Sequence, residues 1–357
     1  MPLRIRPDVS ALPPYVPGKP IEDVAAELGV EVDDIVKLAS NESPLPPFPE
    51  VMEAIAGAAA AVHRYPDMAC RVPAAAVAAV LDIDPDSLWF DAGSSALLRT
   101  MALAVGGPGT SAVMPWPSFV VYPLGSQLAH TRAIRVPLAD HHLDLDAMAG
   151  AVQPDTGIVY VCNPNNPTGT IRTGTDVQGF VDRISDDVLV VVDEAYAEFV
   201  TDPSFRSMIP VALERPNVVV TRTFSKIYGL AALRIGYAIG TPETLKELRK
   251  AQAPFAVSSL AQVAAAVAVR FPDRVQERRT ANAVGRDLLE RSFAARQLDY
   301  VPSQANFVAT LPSDPFALAE GLNGLGFITR PMGELLRISV GSATENARFL
   351  DALGRLP

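Results

Sequence analysis

The chain has 357 residues, more than one ordinary hydrophobic core needs, and this length favours two domains. Hydrophobic residues make up 49% and charged residues 20%, which is typical of a globular protein, and the formal net charge of -10 disfavours nucleic acids and anionic membranes as partners. Only two cysteines and four scattered histidines occur, so the sequence predicts no disulfide framework and no metal site.

The N-terminal residues predict an arm rather than a leader segment. Residues 1–40 begin with several prolines and continue as a short helical pattern that ends near Lys37. The first residues lack the apolar core of a signal peptide, and no apolar run approaches the roughly 20 residues that span a bilayer. We therefore expect a cytoplasmic protein without membrane contact, whose arm packs on the smaller domain.

Helical and strand-like patterns alternate from residue 41 to residue 241. A proline-dense link at 44–49 precedes a helical pattern at 50–62. The strand-like runs that follow are short and mostly apolar, and they lie at 88–90, 112–114, 158–162, 188–192, 218–220 and 235–239. Such runs are typical of strands that helices cover on both faces. Residues 41–241 are therefore predicted to form a large, doubly wound α/β domain.

The pattern changes after Thr241, a hydroxyl residue that precedes a proline in a typical helix start. Two long helical patterns and two strand-like runs follow, at 258–270, 273–297, 306–308 and 336–340. Residues 242–357 are therefore predicted to form a smaller α+β domain.

Polar side chains follow the carboxyl ends of the predicted strands, which is where ligands bind in open α/β sheets. After the first strand, Gly93, Ser94 and Ser95 lead into a helix whose free N–H groups can bind a phosphate, although the turn could simply cap that helix. The run Asn-Pro-Asn-Asn-Pro-Thr-Gly at 163–169 is more specific than a plain turn requires.

Asp193 follows the apolar strand at 188–192 and opens the run Asp-Glu-Ala-Tyr. A carboxylate at the end of a buried strand is costly unless it meets a cation or a hydrogen-bond donor. Asp193 could therefore cap the following turn, or it could pair with a protonated pyridine nitrogen.

A lysine flanked by hydroxyl groups follows the strand at 218–220. The run Thr-Phe-Ser-Lys places Lys226 beyond the carboxyl end of this strand, and Arg234 comes shortly afterwards. This arrangement suits a lysine that holds a phosphorylated aldehyde as an imine, while the hydroxyls and the arginine bind the phosphate.

Together and in this order, these elements resemble the pyridoxal-phosphate aminotransferases of fold type I. The closest likeness is to the histidinol-phosphate aminotransferase family, in particular its actinobacterial aromatic amino acid aminotransferase branch. The likeness extends nearly end to end, from Ser-Asn-Glu at 40–42 through Arg-Tyr-Pro-Asp at 64–67 to Leu-Arg-Ile-Ser-Val-Gly at 336–341. It implies an α/β fold with a large doubly wound mixed sheet, a smaller α+β domain and pyridoxal 5'-phosphate as cofactor.

The resemblance also implies roles for the residues of the site. Lys226 is similar to the catalytic lysine that binds the cofactor and moves a proton between the substrate's Cα and the cofactor's C4′. Asp193 corresponds to the partner of the ring nitrogen, and Tyr196 and Asn166 to residues that hydrogen-bond the ring's phenolic oxygen. The positions that correspond to the phosphate site are Ser94, Ser95, Thr223, Ser225 and Arg234.

Five further residues gain expected roles from the same likeness. Tyr65 resembles a tyrosine that reaches the phosphate from the neighbouring subunit, which implies a homodimer. Phe119 lies where the family stacks an aromatic ring on the cofactor, although core packing is the commoner role of a phenylalanine. Arg337 and Arg330 correspond to arginines that bind the substrate's anionic group, but Arg330 could also be an exposed loop charge. Asn41 is expected to line the substrate pocket.

The implied reaction moves an amino group between an aromatic amino acid and a 2-oxo acid such as 2-oxoglutarate, with ping-pong kinetics. The stretch at 41–47 is closer to the aromatic branch, and Ser95 and Ala96 replace residues that are commonly acidic in the family. Transamination of histidinol phosphate stays open as the alternative, and so does decarboxylation with the same cofactor. A cofactor-sensing regulator of transcription is disfavoured by the acidic net charge.

Overall fold

The computed structural model describes residues 3–12 and 18–356 of the chain. Its strands form a large sheet, a small sheet and a two-stranded pair. In chain order they are β1 (Val36–Lys37), β2 (Leu88–Asp91), β3 (Ser111–Trp116), β4 (Arg132–Pro137), β5 (Thr156–Cys162), β6 (Leu189–Asp193), β7 (Val218–Thr223), β8 (Gly236–Ile239), β9 (Tyr300–Val301), β10 (Phe307–Thr310), β11 (Phe327–Ile328), β12 (Arg330–Met332) and β13 (Leu335–Ser339).

The large sheet has seven strands in the order β2-β8-β7-β6-β5-β3-β4. Strands β4, β3, β5, β6 and β7 pair in parallel, whereas β8 is antiparallel to both of its neighbours. The carboxyl ends of β2, β3, β5, β6 and β7 therefore meet at one edge of the sheet, and β8 begins at that same edge. The mixed α/β sheet that the resemblance implied is confirmed.

All six strands predicted for this sheet are confirmed, and their ends lie within three residues of those in the sequence pattern. Strand β4 was not predicted. It lies at the edge of the sheet, where Arg132 and Arg135 are exposed and only Val136 is fully buried. An edge strand need not be apolar on both faces, so it lacks the pattern on which the prediction relied.

Helices follow most of the strands. In chain order they are α1 (Pro7–Ser10), α2 (Ile21–Leu28), α3 (Pro49–Ala58), α4 (Arg71–Leu81), α5 (Ser94–Val105), α6 (Val121–Leu128), α7 (Leu145–Gly150), α8 (Gly174–Val181), α9 (Ile209–Glu214), α10 (Pro242–Leu248), α11 (Ser259–Ala268), α12 (Pro272–Ala295), α13 (Pro315–Asn323) and α14 (Ala343–Leu353). Among the described residues, none of the helices combines the length and the apolar character that crossing a membrane requires.

Apolar clusters cover both faces of the large sheet. Val190 and Val192 of β6 pack in one cluster with side chains of α3, α4, α8 and α11, whereas Val191 packs in a second cluster with α5 and α6. Because side chains alternate along a strand, Asp193 shares the face of Val191. This alternation directs the last residue of β6 towards helix α6.

The small sheet is antiparallel and has the order β12-β13-β10-β9. Apolar residues of α12 and α14 pack against it. The segment after β1 joins this region, because the Leu38 N–H donates to the Ile328 carbonyl at 2.8 Å and the Leu38 carbonyl accepts from the Ser339 N–H at 2.9 Å. Helix α1 lies elsewhere and contacts α6.

The two helices that follow Thr241 pack on the large sheet's layers. Thr241 caps α10 by accepting a hydrogen bond from the Thr244 N–H, as the sequence predicts. Helix α10 contacts α5, and α11 contacts α3 and α4, because its alanine-rich face fits closely against them. The domain boundary at residue 242 therefore stays a prediction. Both helices lie after this boundary in the sequence but pack against helices that precede it.

Candidate active site

Lys226 lies in the loop after β7, at the edge where the strand ends meet. Its amine donates to the Ser40 carbonyl at 3.2 Å and lies 5.8 Å from the centre of the Tyr196 ring. The loss of surrounding water, with a smaller contribution from the nearby charge of Arg337, lowers the pKa of Lys226 to about 8. A larger share of this amine is therefore neutral near pH 7 than for a surface lysine, and a neutral amine can act as a nucleophile or a base.

Asp193 is almost completely buried at the end of β6, on the strand beside β7. Its carboxylate accepts hydrogen bonds from the Tyr122 hydroxyl at 2.8 Å, the Thr221 hydroxyl at 3.2 Å and the Ala195 N–H at 3.2 Å. Burial raises the pKa of Asp193, and these donors act in the opposite direction. A carboxylate held in this way is a fitting partner for a protonated ring nitrogen.

Tyr196 and Asn41 meet across the gap between the two sheets. The Asn41 side-chain amide donates to the Tyr196 hydroxyl at 3.0 Å, and burial raises the pKa of Tyr196 to about 12. The hydroxyl therefore keeps its proton and can donate it in a hydrogen bond to an acceptor in the site. Asn41 is itself held by Ser339 and Asn306 of the small-sheet region, at 2.9 and 3.1 Å.

Arg337 lies on β13 and is buried. Its guanidinium donates to the side-chain oxygen of Asn166 and, at 2.7 Å, to the carbonyl of Ala39. It also lies 5.4 Å from the centre of the Phe307 ring. A buried guanidinium with an aromatic neighbour is a suitable site for a carboxylate.

The phosphate-binding positions surround the start of α5. Arg234 donates to the Ser225 hydroxyl at 3.2 Å, and the Thr223 hydroxyl accepts from the Ser225 N–H at 3.1 Å. Gly93 precedes Ser94 with φ of 82°, and a Cβ on Gly93 would lie 2.5 Å from the Arg234 guanidinium. Glycine is therefore required for the helix start and the guanidinium to lie this close.

These residues fit a phosphorylated ring with an aldehyde group. The first N–H groups of α5 have no side-chain cap, so they are available to an anion together with Arg234 and the hydroxyls. Lys226 and Asp193 lie beyond the ends of adjacent strands, where one ring could contact both. The described residues thus supply an amine, a carboxylate and an anion cradle at one edge of the sheet.

Five expected site residues make none of the hydrogen bonds described above. Ser94 is buried at the start of α5. Tyr65 is 82% exposed and its ring stacks on Phe255 at 4.6 Å. Phe119 packs edge-on against Tyr122 at 5.8 Å. Arg330 is half-buried and lies opposite Arg337 in the β12–β13 pair, and Ser95 is half-buried in the first turn of α5.

Several contacts of the site were not predicted from the sequence. The carbonyls of Ala39 and Ser40 accept from Arg337 and Lys226, and Tyr122 and Thr221 donate to Asp193. Ser40 lies inside a motif that the resemblance identified, so its position carried a signal. Tyr122 lies within an apolar stretch, where a tyrosine is typical of ordinary core packing.

Comparison with known proteins identifies the family to which the chain belongs. A family model described as aminotransferase class I and II matches residues 33–353. The chain is 41% identical to an aromatic amino acid aminotransferase of Streptomyces coelicolor, over 97% of this chain and 96% of that protein. It is 40% identical to a histidinol-phosphate aminotransferase of Moorella thermoacetica, over 98% of this chain and 92% of that protein.

A solved structure is similar over almost the whole chain. It is histidinol-phosphate aminotransferase from Sinorhizobium meliloti in complex with pyridoxal-5'-phosphate, with a TM-score of 0.88 and 28% identity. The match covers 98% of this chain and 96% of that one.

Proposed function

Because the chain belongs to the class I and II aminotransferases, we propose that it moves the amino group of an aromatic amino acid to a 2-oxo acid such as 2-oxoglutarate. It is a pyridoxal-phosphate-dependent transaminase of fold type I. The two half-reactions would share one site and follow ping-pong kinetics. We place the enzyme in the cytoplasm, which its two free, buried cysteines support.

Different residues of the candidate site would bind different parts of the cofactor. Arg234, Ser225 and the first N–H groups of α5 would hold its phosphate, and Asp193 would hold its ring nitrogen. When bound, pyridoxal phosphate supplies an electrophilic carbonyl and a ring that withdraws electrons from the substrate's Cα. Tyr196 and Asn166 would bind its phenolic oxygen.

Lys226 has two tasks in this proposal. Its amine would hold the cofactor between turnovers, and during the reaction the same amine would move a proton at the substrate's Cα. The lowered pKa of Lys226, about 8, suits both tasks because the base form is accessible near neutral pH. Its contact with the Ser40 carbonyl at 3.2 Å orients the amine towards the Tyr196 side of the site.

Arg337 is the observation that carries the substrate proposal. Its guanidinium donates to Asn166, a proposed cofactor contact, and lies over the Phe307 ring. The rings of Phe307 and Tyr196 lie 5.2 Å apart. A substrate carboxylate bound to Arg337 would therefore lie between the cofactor and aromatic rings. Aromatic rings pack favourably on one another, which supports an aromatic amino acid as substrate.

Histidinol phosphate is the second candidate, and Arg330 is the observation that favours it. Residues 330 and 337 are direct cross-strand partners, so their side chains leave the same face of the small sheet. Two adjacent guanidinium groups suit a phosphate, which carries more charge than a carboxylate. The relative from Moorella thermoacetica carries this name, and its identity of 40% does not separate the two substrates.

Single half-reactions with the purified holoenzyme test the choice of substrate. We expect the visible absorption of the bound cofactor to disappear rapidly with phenylalanine or tyrosine and slowly with histidinol phosphate. Faster loss with histidinol phosphate would reverse the order of the two candidates. Release of CO₂ from an incubation with one amino acid alone would instead indicate a decarboxylase.

Arg337→Ala is expected to raise the KM for the amino donor by about 100-fold, because two charge-assisted hydrogen bonds to the carboxylate are lost. Arg337→Lys is the matched variant: it keeps the charge but loses the planar fork, so its KM should lie between those of Arg337→Ala and the unmodified enzyme. The absorption spectrum of the bound cofactor should persist in both variants. An unchanged KM in Arg337→Ala would remove Arg337 from the substrate site.

We also propose that the active unit is a homodimer in which Tyr65 completes the neighbouring site. Tyr65 is 82% exposed and stacks on Phe255, which is also exposed. Met68 and Val72, which follow Tyr65 closely in the sequence, are exposed as well. Large apolar side chains that are exposed together are typical of protein–protein contacts. Burial against a second copy of the chain would account for them.

A further inference from the structure

The hydroxyl of Tyr122 hydrogen-bonds the carboxylate of Asp193, which is the proposed partner of the cofactor's ring nitrogen. Tyr122 lies in α6 and donates to Oδ2 of Asp193 at 2.8 Å, the shortest of that carboxylate's three hydrogen bonds. The other two donors, Thr221 and Ala195, share Oδ1 at 3.2 Å each. Of the described side chains, Tyr122 is thus the one that orients Oδ2.

The position of this hydroxyl is fixed by the packing of the tyrosine ring. Tyr122 is fully buried, and its ring stacks on Tyr160 at 4.5 Å with an angle of 15° between the planes. Phe119 packs edge-on against the same ring at 5.8 Å. Because the ring has little freedom to move, the hydroxyl holds the carboxylate in one orientation.

The electrostatic surroundings give this hydrogen bond a larger effect than it would have at a surface. Burial is the main cause that raises the pKa of Asp193, and the neighbouring charge of Glu194 raises it further. The donors oppose this, and burial raises the pKa of Tyr122 well above its usual range, so its hydroxyl remains a donor. Without it, Asp193 would gain a proton at a higher pH and lose its charge.

Other charged and titratable groups face Asp193 from the elements packed around it. Cys162 of β5 is neutral, because burial raises the pKa of its thiol to about 12. Glu194 is paired with Arg222 at 2.8 Å. Lys226, whose pKa is lowered to about 8, is a nearby cation, and Tyr196 keeps its proton. Tyr122 is the member of this set that hydrogen-bonds the carboxylate directly.

We propose that Tyr122 is a positioning residue whose hydroxyl holds Asp193 in the orientation and charge state that the cofactor's ring nitrogen requires. Tyr122 acts through Asp193 and not on the cofactor itself. The inference rests on the proposed contact between Asp193 and the ring nitrogen, so its test must distinguish a failure of that contact from a failure of the role of Tyr122.

Tyr122→Phe and Tyr160→Phe form a matched pair of variants. Each removes one buried hydroxyl from the same stacked pair of rings. Among the described residues, however, the Tyr160 hydroxyl has no partner in hydrogen-bonding geometry, although Ser126 lies beside it and donates to the Tyr122 carbonyl at 2.8 Å. Tyr160→Phe therefore controls for the loss of a hydroxyl at this depth.

The measurement is the dissociation constant of pyridoxal phosphate from the full chain between about pH 5 and about pH 9, a range above the ordinary pKa of an aspartate. Affinity should fall on the acid side as Asp193 gains its proton. In Tyr122→Phe this fall should begin at higher pH, because the pKa of Asp193 is higher without its donor, and affinity below that point should be weaker by about tenfold. Tyr160→Phe should keep the unmodified profile.

Three results would overturn the proposal. An equal loss of affinity at every pH in Tyr122→Phe would indicate a purely structural role, and so would a shift of the same size in Tyr160→Phe. An unchanged profile in Tyr122→Phe would remove any role for the hydroxyl. Asp193→Asn, measured in parallel, identifies the source of such a result: if it too binds the cofactor normally, the contact between Asp193 and the ring nitrogen fails first.

Discussion

Lys226→Ala is expected to abolish transamination, lowering turnover by on the order of 10⁴-fold, because general acid–base catalysis alone contributes up to about that factor. In the proposed mechanism, the variant would lose both the amine that holds the cofactor and the group that moves a proton at the substrate's Cα. It keeps Arg234, Ser225 and Asp193, so cofactor should still bind without a covalent link. The measurements are steady-state turnover and the absorption spectrum of the bound cofactor.

Lys250→Ala is the control for this variant. Lys250 is an exposed lysine paired with Glu247 on the surface, so its loss should leave turnover and spectrum unchanged. Normal turnover in Lys226→Ala would refute the proposed mechanism as a whole. Loss of cofactor binding together with turnover would instead indicate that the phosphate and ring contacts are too weak without the lysine.

Asp193→Asn is expected to slow the half-reaction with an amino donor by on the order of 10³-fold, the effect of removing one preorganised electrostatic contact. The amide has the same shape but no charge, so it could not stabilise a protonated ring nitrogen as the carboxylate of Asp193 would. Stopped-flow absorbance of the half-reaction measures this rate directly. Thermal unfolding, measured on the same samples, reports whether the fold is intact.

Asp91→Asn provides a comparison at a second buried carboxylate. Asp91 ends β2, accepts hydrogen bonds from the Ala92 N–H at 2.7 Å and the Thr100 hydroxyl at 3.3 Å, and burial also raises its pKa. Its replacement should change stability and leave the half-reaction rate within about threefold, since no proposed cofactor contact is lost. Equal slowing in both variants would argue against a special role for Asp193.

The sequence was sufficient for the parts of the fold that depend on local pattern. Valine runs such as 218–220 predict buried parallel strands, and polar residues at their ends predict the edge at which Lys226 and Asp193 lie. The hydroxyl cap of α10 at Thr241 was predicted in the same way. Each of these features is encoded within a few neighbouring residues.

Features that depend on distant partners were not accessible in this way. The hydrogen bond from Tyr122 to Asp193 forms only when α6 packs against the end of β6. The rings of Phe119 and Tyr160 then hold Tyr122 in place. Strand β4 was missed because one side of it has no neighbouring strand. Likewise, the alanine-rich sequence of α11 does not predict that this helix packs against α3 and α4.

The segment at 39–41 has a consequence for how the protein is made. Its contacts reach Lys226 across 186 positions of the chain, Asn306 across 265 and Arg337 across 298. Contacts between such distant positions form late, because the closure of a long loop carries a large entropic cost. A chain still attached to the ribosome can complete the large sheet while β13 is unsynthesised, but its N-terminal segment then lacks the partners that hold it over the lysine. The segment at 39–41 and the proposed substrate arginine, Arg337, therefore come together only in the last stage of synthesis.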